Sequence, residues 1–472
     1  MSMIQCPVLV RFALEETEGS KVDTVKEKGI SRPPGMTNYR WTVIALCFII
    51  IVINYMDRSA IAYAIEPIKK EFGLNDADYG AIASAFGIGY TIMTLGGGII
   101  VDLWGARQVW TWSSITWSIC TGLLAVCTGF WHLFFLRVML GITEGPCFPA
   151  MTRAVTDWLP ANERARSSAI SLAAVPLASV IGGPLISHLI VSFGWKAMFV
   201  ILGSLGIIWA GFWWVMYRDY PQNSSKVSEA ELDLIHEGQT LQVHGSDADL
   251  RRHHLSTGKT TWKFLFLNPS LMANNYSFFS FGYLLFFAVS WLPGFLEQTY
   301  HLKIKEVGVL VMAPWLTAAI FVVSCGFLSD WIYKKTKNVR WARTHMIWPS
   351  QMLSACFLIA VTFTDSLPLV ITFMSLGIAF GLAPNACFYS LNSDLAKDRA
   401  ATSLGLMDCF LAAAGVLAPL LTGYMKQATG NFNSALWIMA GFTFTSSLFV
   451  FFLQHPDRDI AELKKADLAA QS

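Results

Sequence analysis

The sequence predicts an all-α membrane protein with twelve transmembrane helices in two six-helix repeats. Three observations carry that prediction. Of the 472 residues, 54% are hydrophobic and only 14% charged, against about 25% charged in a typical soluble domain. Apolar runs recur along the chain, and many reach the roughly 20 residues needed to cross a hydrocarbon core. Backbone groups in lipid must be paired internally, so such runs are read as helices. Finally, a polar stretch over residues 218–268, with Glu229, Arg251, Arg252, His253 and His254, divides the runs six and six.

Taken in order, residues 1–38 form a polar tail with Glu15, Glu16 and Glu18 and no signal-peptide core. A cytoplasmic tail is expected there, and Met36 offers a second candidate start. The N-terminal bundle, 39–217, holds spans near 41–65, 79–101, 108–128, 131–154, 166–191 and 197–217, separated by charged or Pro/Gly punctuation. After the linker, 218–268, the C-terminal bundle, 269–455, holds spans near 270–296, 307–329, 344–363, 367–392, 400–424 and 434–453. A cytoplasmic tail, 456–472, ends the chain. Trp41, Trp131, Trp195 and Trp291 fall at predicted span ends, where an amphipathic ring suits the headgroup region. The nine Cys are scattered through apolar runs without a C-x-x-C pair, which predicts packing residues rather than disulfides or metal ligands.

Lys and Arg are distributed unevenly over the connections. With both termini inside, seventeen fall on inner connections and six on outer ones, namely Lys69, Lys70, Lys196, Lys303, Lys305 and Lys426. The excess predicts cytoplasmic termini. Two motifs recur at nearly equal offsets: Gly98-x-x-x-Asp102 with Gly326-x-x-x-Asp330, and Glu163-Arg164-Ala165-Arg166-Ser167-Ser168 with Asp398-Arg399-Ala400-Ala401-Thr402-Ser403. Each lies on an inner turn, as two parallel repeats require. A net charge of +2 leaves no electrostatic footprint for nucleic acid.

These residues resemble the major facilitator superfamily over roughly residues 38–455. The run from Gly98 to Arg107 is similar to its best-known signature, with Leu103 where a basic residue is usual. The resemblance implies that Asp102 and Arg107, with Asp330 in the second repeat, lock a cytoplasmic gate. Asn54-Tyr55-Met56-Asp57-Arg58 and the helix from Arg137 to Glu144 resemble the anion:cation symporter branch, which includes carriers of galactonate, glucarate and hexuronates. That branch implies proton-coupled uptake of a small carboxylate by a monomeric, multi-pass protein of the cell (inner) membrane, without cofactor or metal.

Five ionisable residues lie well inside predicted spans: Asp57, Arg58, Arg137, Glu144 and Asp408. Each costs at least about 2.5–3.5 kcal/mol at a helix centre on insertion scales, which favours a functional cavity over lipid exposure. An inter-helix salt bridge that only fixes packing is the alternative, and it applies best to Arg137. Arg137 and Glu144, seven residues apart, fall on one helix face. Asn54, Asp57 and Arg58 share a face of the first span. A carboxylate in low dielectric is driven to bind a proton, and a neighbouring guanidinium opposes this. Glu144 and Asp57 are therefore the candidate proton acceptors, and Arg58 the receptor of a substrate carboxylate. By resemblance, Arg137 would hold Glu144 when it is ionised.

The resemblance also places Tyr55, Tyr90 and Phe388 against substrate, with aromatic packing as the alternative reading. Asn274, Asn275 and Asn385 are either cavity groups or helix-to-helix glue. Asp408 stands where galactonate-type carriers have an amide, and Val175 lacks the polar side chain of some sugar-acid carriers, so a less hydroxylated substrate is an alternative. A proton-antiporting exporter or uniporter of an amphiphilic carboxylate, and a nontransporting sensor, are the competing functions. An enzyme is not expected, because the nine His are dispersed and form no catalytic motif.

Overall fold

A computed structural model describes residues 36–236, 262–396 and 400–462. The predicted tail up to residue 35, most of the linker, the Asp398-Arg399 pair of the repeated motif and the final ten residues lie outside the described residues.

Apart from short turns, the described chain is helical throughout. Among the described residues, nine helices are long and apolar enough to cross a membrane, and two bent pairs raise this to eleven. The bent pairs are the second span, Asp76–Trp104, and the seventh, Pro269–Ser290 with Leu292–Tyr300. The long helix Ala161–Met216 bends at Gly194 (φ 83°, ψ 161°), and counting its two arms separately gives the predicted twelve. Sequence reading places a connection between the fifth and sixth spans. The connection is Gly194 itself, non-helical and unstrained without a Cβ, and the chain reverses there, since Glu163 and Met216 both end beside the start of the first span.

The other spans follow in order. The first is Tyr39–Tyr63, the third Ala106–Leu123, and the fourth Phe130–Glu144 with Cys147–Trp158. The eighth is Ile304–Leu310 with Met312–Thr336, and the ninth is His345–Val361 preceded by a π-turn at Arg340–Thr344. The tenth is Leu367–Leu382 with Asn385–Leu395, the eleventh Ala400–Thr429 and the twelfth Asn433–Leu453. The fourth and tenth spans break at equivalent places, just before Cys147 and Asn385, each next to a proline (Pro146, Pro384) that cannot donate to the helix ladder. The internal repeat thus extends to the breaks.

On the face where the first span begins, the ion pairs and caps among the described residues do not join one bundle to the other. Arg40 bridges Glu163 (2.9 Å) and Glu231 (3.0 Å). Burial disfavours the charge on Glu231. Hydrogen bonds from the Thr37 hydroxyl, the Arg40 and Tyr39 amides and the Arg40 guanidinium outweigh it and hold this carboxyl below its ordinary range. The Arg107 amide donates to Asp219 (2.8 Å), and in the other bundle the Val339 and Arg340 amides donate to Asp457 (3.0 and 2.8 Å).

On the opposite, far face the bundles meet. Asp76 contacts Lys426 (3.0 Å), Gln298 donates to Glu66 (2.6 Å), and the Tyr79 hydroxyl donates to the Ser290 carbonyl (2.9 Å). Of the predicted interfacial tryptophans, Trp291 lies at this junction and Trp195 packs within the N-terminal bundle, and both are buried. Trp195 donates to Glu71 and Trp291 to the Pro419 carbonyl, whereas Trp131 is 65% exposed, as a headgroup residue should be. The described cysteines are free, and most are buried.

The second and eleventh spans touch backbone to backbone: a Cβ on Gly87 would stand 2.7 Å from the Gly415 carbonyl carbon. Gly87→Ala must push them apart, and we expect it to lower thermal stability in detergent by roughly 1–3 kcal/mol. Gly441→Ala, where the added atom meets nothing within 4 Å, should not lower it.

Candidate functional site

The first, second and fourth spans of the N-terminal bundle converge on Arg58. Its guanidinium, 4% exposed, donates through Nη2 (2.9 Å) and Nε (3.3 Å) to Oε2 of Glu144, and through Nη2 to Asn54 Oδ1 (3.4 Å). Tyr55, Phe86 and Tyr90 turn ring faces to the same cation at 4.5, 4.5 and 5.0 Å, an arrangement that stabilises a desolvated guanidinium. Sequence reading pairs Glu144 with Arg137, but the structure pairs it with Arg58. Seven residues of helix separate Arg137 and Glu144 by about 10 Å along the axis, while Arg58 enters from the neighbouring span at the level of the carboxylate.

Arg137 instead approaches the same aromatic layer, 5.1 Å from the Phe86 ring, with Nε and Nη1 unpartnered among the described residues. Two buried guanidinium groups therefore share one phenyl ring. Asp57 is fully buried, and neither of its oxygens has a hydrogen-bond partner among the described residues.

Across the bundle interface stands Asp408 on the eleventh span, its Oδ1 unpartnered. The Tyr389 hydroxyl is within hydrogen-bonding reach of this carboxylate, and both residues lie within electrostatic reach of Tyr90. Tyr389 is 38% exposed although it sits on the broken tenth span facing tyrosines of the other bundle. It lines open space between the bundles rather than lipid. Phe388, predicted to meet substrate, is fully buried against Phe278 (5.4 Å) and Phe281 (6.0 Å) in its own bundle, and its carbonyl accepts from Asn274. The break before Asn385 turns the next residue, Tyr389, inward in its place. Spacing offered a signal for it, since Tyr389 lies four residues after Asn385 and so on the same helix face.

The predicted gate residues lie near the face where the first span begins, each with a partner in its own bundle. Asp102 meets Arg153 (3.3 Å), and Arg107 donates to the Trp214 carbonyl and covers its ring (4.1 Å). Asp102 and Arg107 flank the turn at Gly105 and diverge to opposite neighbours. Asp330 meets Arg343 (3.0 Å). Of the flagged asparagines, Asn274 and Asn275 form amide bridges with Gln454 and Asn392, which is the helix-glue reading.

Two bundles, buried charges at their interface and broken helices beside them describe a carrier. The sequence profile of the Major Facilitator Superfamily matches residues 47–419. The chain belongs to that superfamily. It is a multi-pass membrane transporter of its sugar-acid branch. The hexuronate transporter of Bacillus subtilis (strain 168) is 29% identical, covering 86% of this chain and 93% of its own. The probable galactarate/D-glucarate transporter GudP of the same organism is 32% identical, covering 85% and 88%. Among solved structures, a bacterial homologue of the human lysosomal transporter Spinster, inward-facing and unoccupied, superposes with a TM-score of 0.72 at 17% identity, over 91% of this chain and 99% of that one.

Removing one partner of a buried ion pair strands the other charge. Arg58→Met alone is therefore expected to cost about 3–5 kcal/mol of stability, most of it recovered by adding Glu144→Gln. Thermal unfolding of the two variants tests this, and a double variant no more stable than the single would show that the pair is not coupled.

Proposed function

We propose that this transporter takes up a hydroxylated carboxylate of the sugar-acid class together with protons, by alternating access, with both termini in the cytoplasm. The observation that carries the reading is the Arg58–Glu144 pair, roofed by tyrosines and facing Asp408 and Tyr389 across the interface. The names of the relatives, carriers of hexuronate and of galactarate/D-glucarate, support the substrate class.

Arg58 is too deeply buried to be left without an anion, so two carboxylates compete for one fork. With Glu144 ionised, the fork is filled. When Glu144 takes a proton its hold weakens, and a substrate carboxylate can accept the two N–H bonds in its place. Release reverses the order: as substrate leaves, Arg58 recaptures an ionised Glu144 and the proton departs. Among the described residues Asp57 has no donor facing it, and burying it as an anion beside Glu144 would be costly, so a proton on Asp57 accompanies entry of an anion. Tyr55, Tyr90 and Tyr389 offer hydroxyls to the substrate's own, and Asp408 accepts from its far end. The inner-loop excess of Lys and Arg supports the orientation.

Glu144→Gln keeps the shape and removes the titrating group. In proteoliposomes it should preserve exchange of labelled sugar acid while abolishing accumulation driven by an imposed pH gradient; accumulation at the wild-type level would remove Glu144 from the coupling scheme. Asp408→Asn keeps the hydrogen-bonding shape without the charge. It should raise competition by polyhydroxylated acids relative to simple carboxylates by roughly ten-fold, the scale of one charge-assisted hydrogen bond. An unchanged order of competitors would place Asp408 outside the binding site.

A further inference from the structure

The far face carries a charge cluster that the binding scheme does not use. A single oxygen of Asp76, Oδ1, accepts from Lys69 (2.7 Å) and from Lys426 (3.0 Å). Lys69 follows the first span and belongs, like Asp76, to the N-terminal bundle, whereas Lys426 ends the eleventh span of the other bundle. The Asp76 amide also donates to Gln427 (3.1 Å). All three charged groups are mostly shielded, with side chains 10–17% exposed.

We propose that Asp76 is the positioning residue of the far-face gate, sharing one carboxylate oxygen between a partner it keeps, Lys69, and a partner it gives up when the bundles part, Lys426. Both sides of the broken contact have somewhere to go. Asp76 retains Lys69. Lys426 retains the ring faces of Phe432 (4.7 Å) and Trp291 (5.9 Å) in its own bundle, which hold a cation without an anion. Stranding a part-buried charge is the main electrostatic obstacle to opening such a contact, and this arrangement removes it from both partners. Lys69 also lies 3.7 Å from Glu66, which accepts from Gln298 of the opposite bundle, so the same lysine serves both cross-bundle contacts.

The arrangement assigns opposite effects to neighbouring residues. Asp76→Asn weakens the closed contact and should raise the share of far-face-open molecules by roughly five-fold, the scale of one well-placed ion pair. Lys426→Met removes the same contact from the other side and should do likewise. Lys69→Met removes the fallback: opening would then leave Asp76 without a cation, so the open share should fall below that of the wild type. Spin labels at Thr128 and Ser366, exposed on the far face of the two bundles, would report the distance distribution by double electron–electron resonance, in full-length protein reconstituted without substrate and free of reactive native cysteines. Shifts of Asp76→Asn and Lys69→Met in the same direction, or none in either, would overturn the proposal. Should Asp76→Asn fail to fold, Lys426→Met against Lys69→Met decides it. The proposal rests on alternating access but not on the substrate, so failed sugar-acid uptake with these opposed shifts would retire the substrate class and leave the gate standing.

Discussion

A guanidinium buried in a membrane protein must always have an anion, a ring face or water beside it, and the N-terminal bundle is built around that demand at Arg58. Glu144 supplies the anion and Tyr55, Phe86 and Tyr90 the ring faces. Phe86 can stand there only because the second and fourth spans approach closely, with its carbonyl against Gly141. The same closeness brings Arg137 to the Phe86 ring, so the distance between two like charges is set by helix packing. Binding chemistry and bundle geometry are thus one problem: loosening this contact would change the electrostatics before it changed the fold.

Much of this was legible in the sequence because the relevant residues are conspicuous where they stand. Asp57, Arg58, Arg137, Glu144 and Asp408 interrupt apolar runs, and an apolar run makes any charge informative. Helical period then put Asn54 and Arg58 on one face, and they do meet. The pairing of Glu144 was not legible, since spacing along one helix says nothing about which neighbour reaches in at the same height. Phe388 and Tyr389 are adjacent aromatics, and only the break before Asn385 decides which of them turns toward the other bundle. The terminal-face partners Asp219, Glu231 and Asp457 lie in polar segments, where another acid carries no signal, and the acid-to-amide caps they form became visible only in three dimensions.

Those caps have a pattern of their own. Asp219 follows the sixth span and caps the start of the third, and Asp457 follows the twelfth and caps the start of the ninth. Each half closes its terminal face with its own acid and its own amide, and contacts between halves are concentrated at the far face. A bundle that satisfies its helix ends internally loses nothing when its partner tilts away, which is the condition for rigid-body motion of two repeats.

Gly194 extends this mechanics to the surrounding lipid. It is a tight reversal between the fifth and sixth spans, a single residue of non-helical backbone where a longer loop could stand. The fifth span meets the other bundle backbone to backbone, Gly183 against Gly308, while the sixth turns Ile208, Phe212 and Val215 outward. So short a connection keeps the lipid-facing arm and the interface-facing arm at nearly the same depth on the far face. Since a helix adjusts its depth and tilt to the thickness of the hydrocarbon around it, the composition of the membrane becomes one of the forces acting on the seam between the halves.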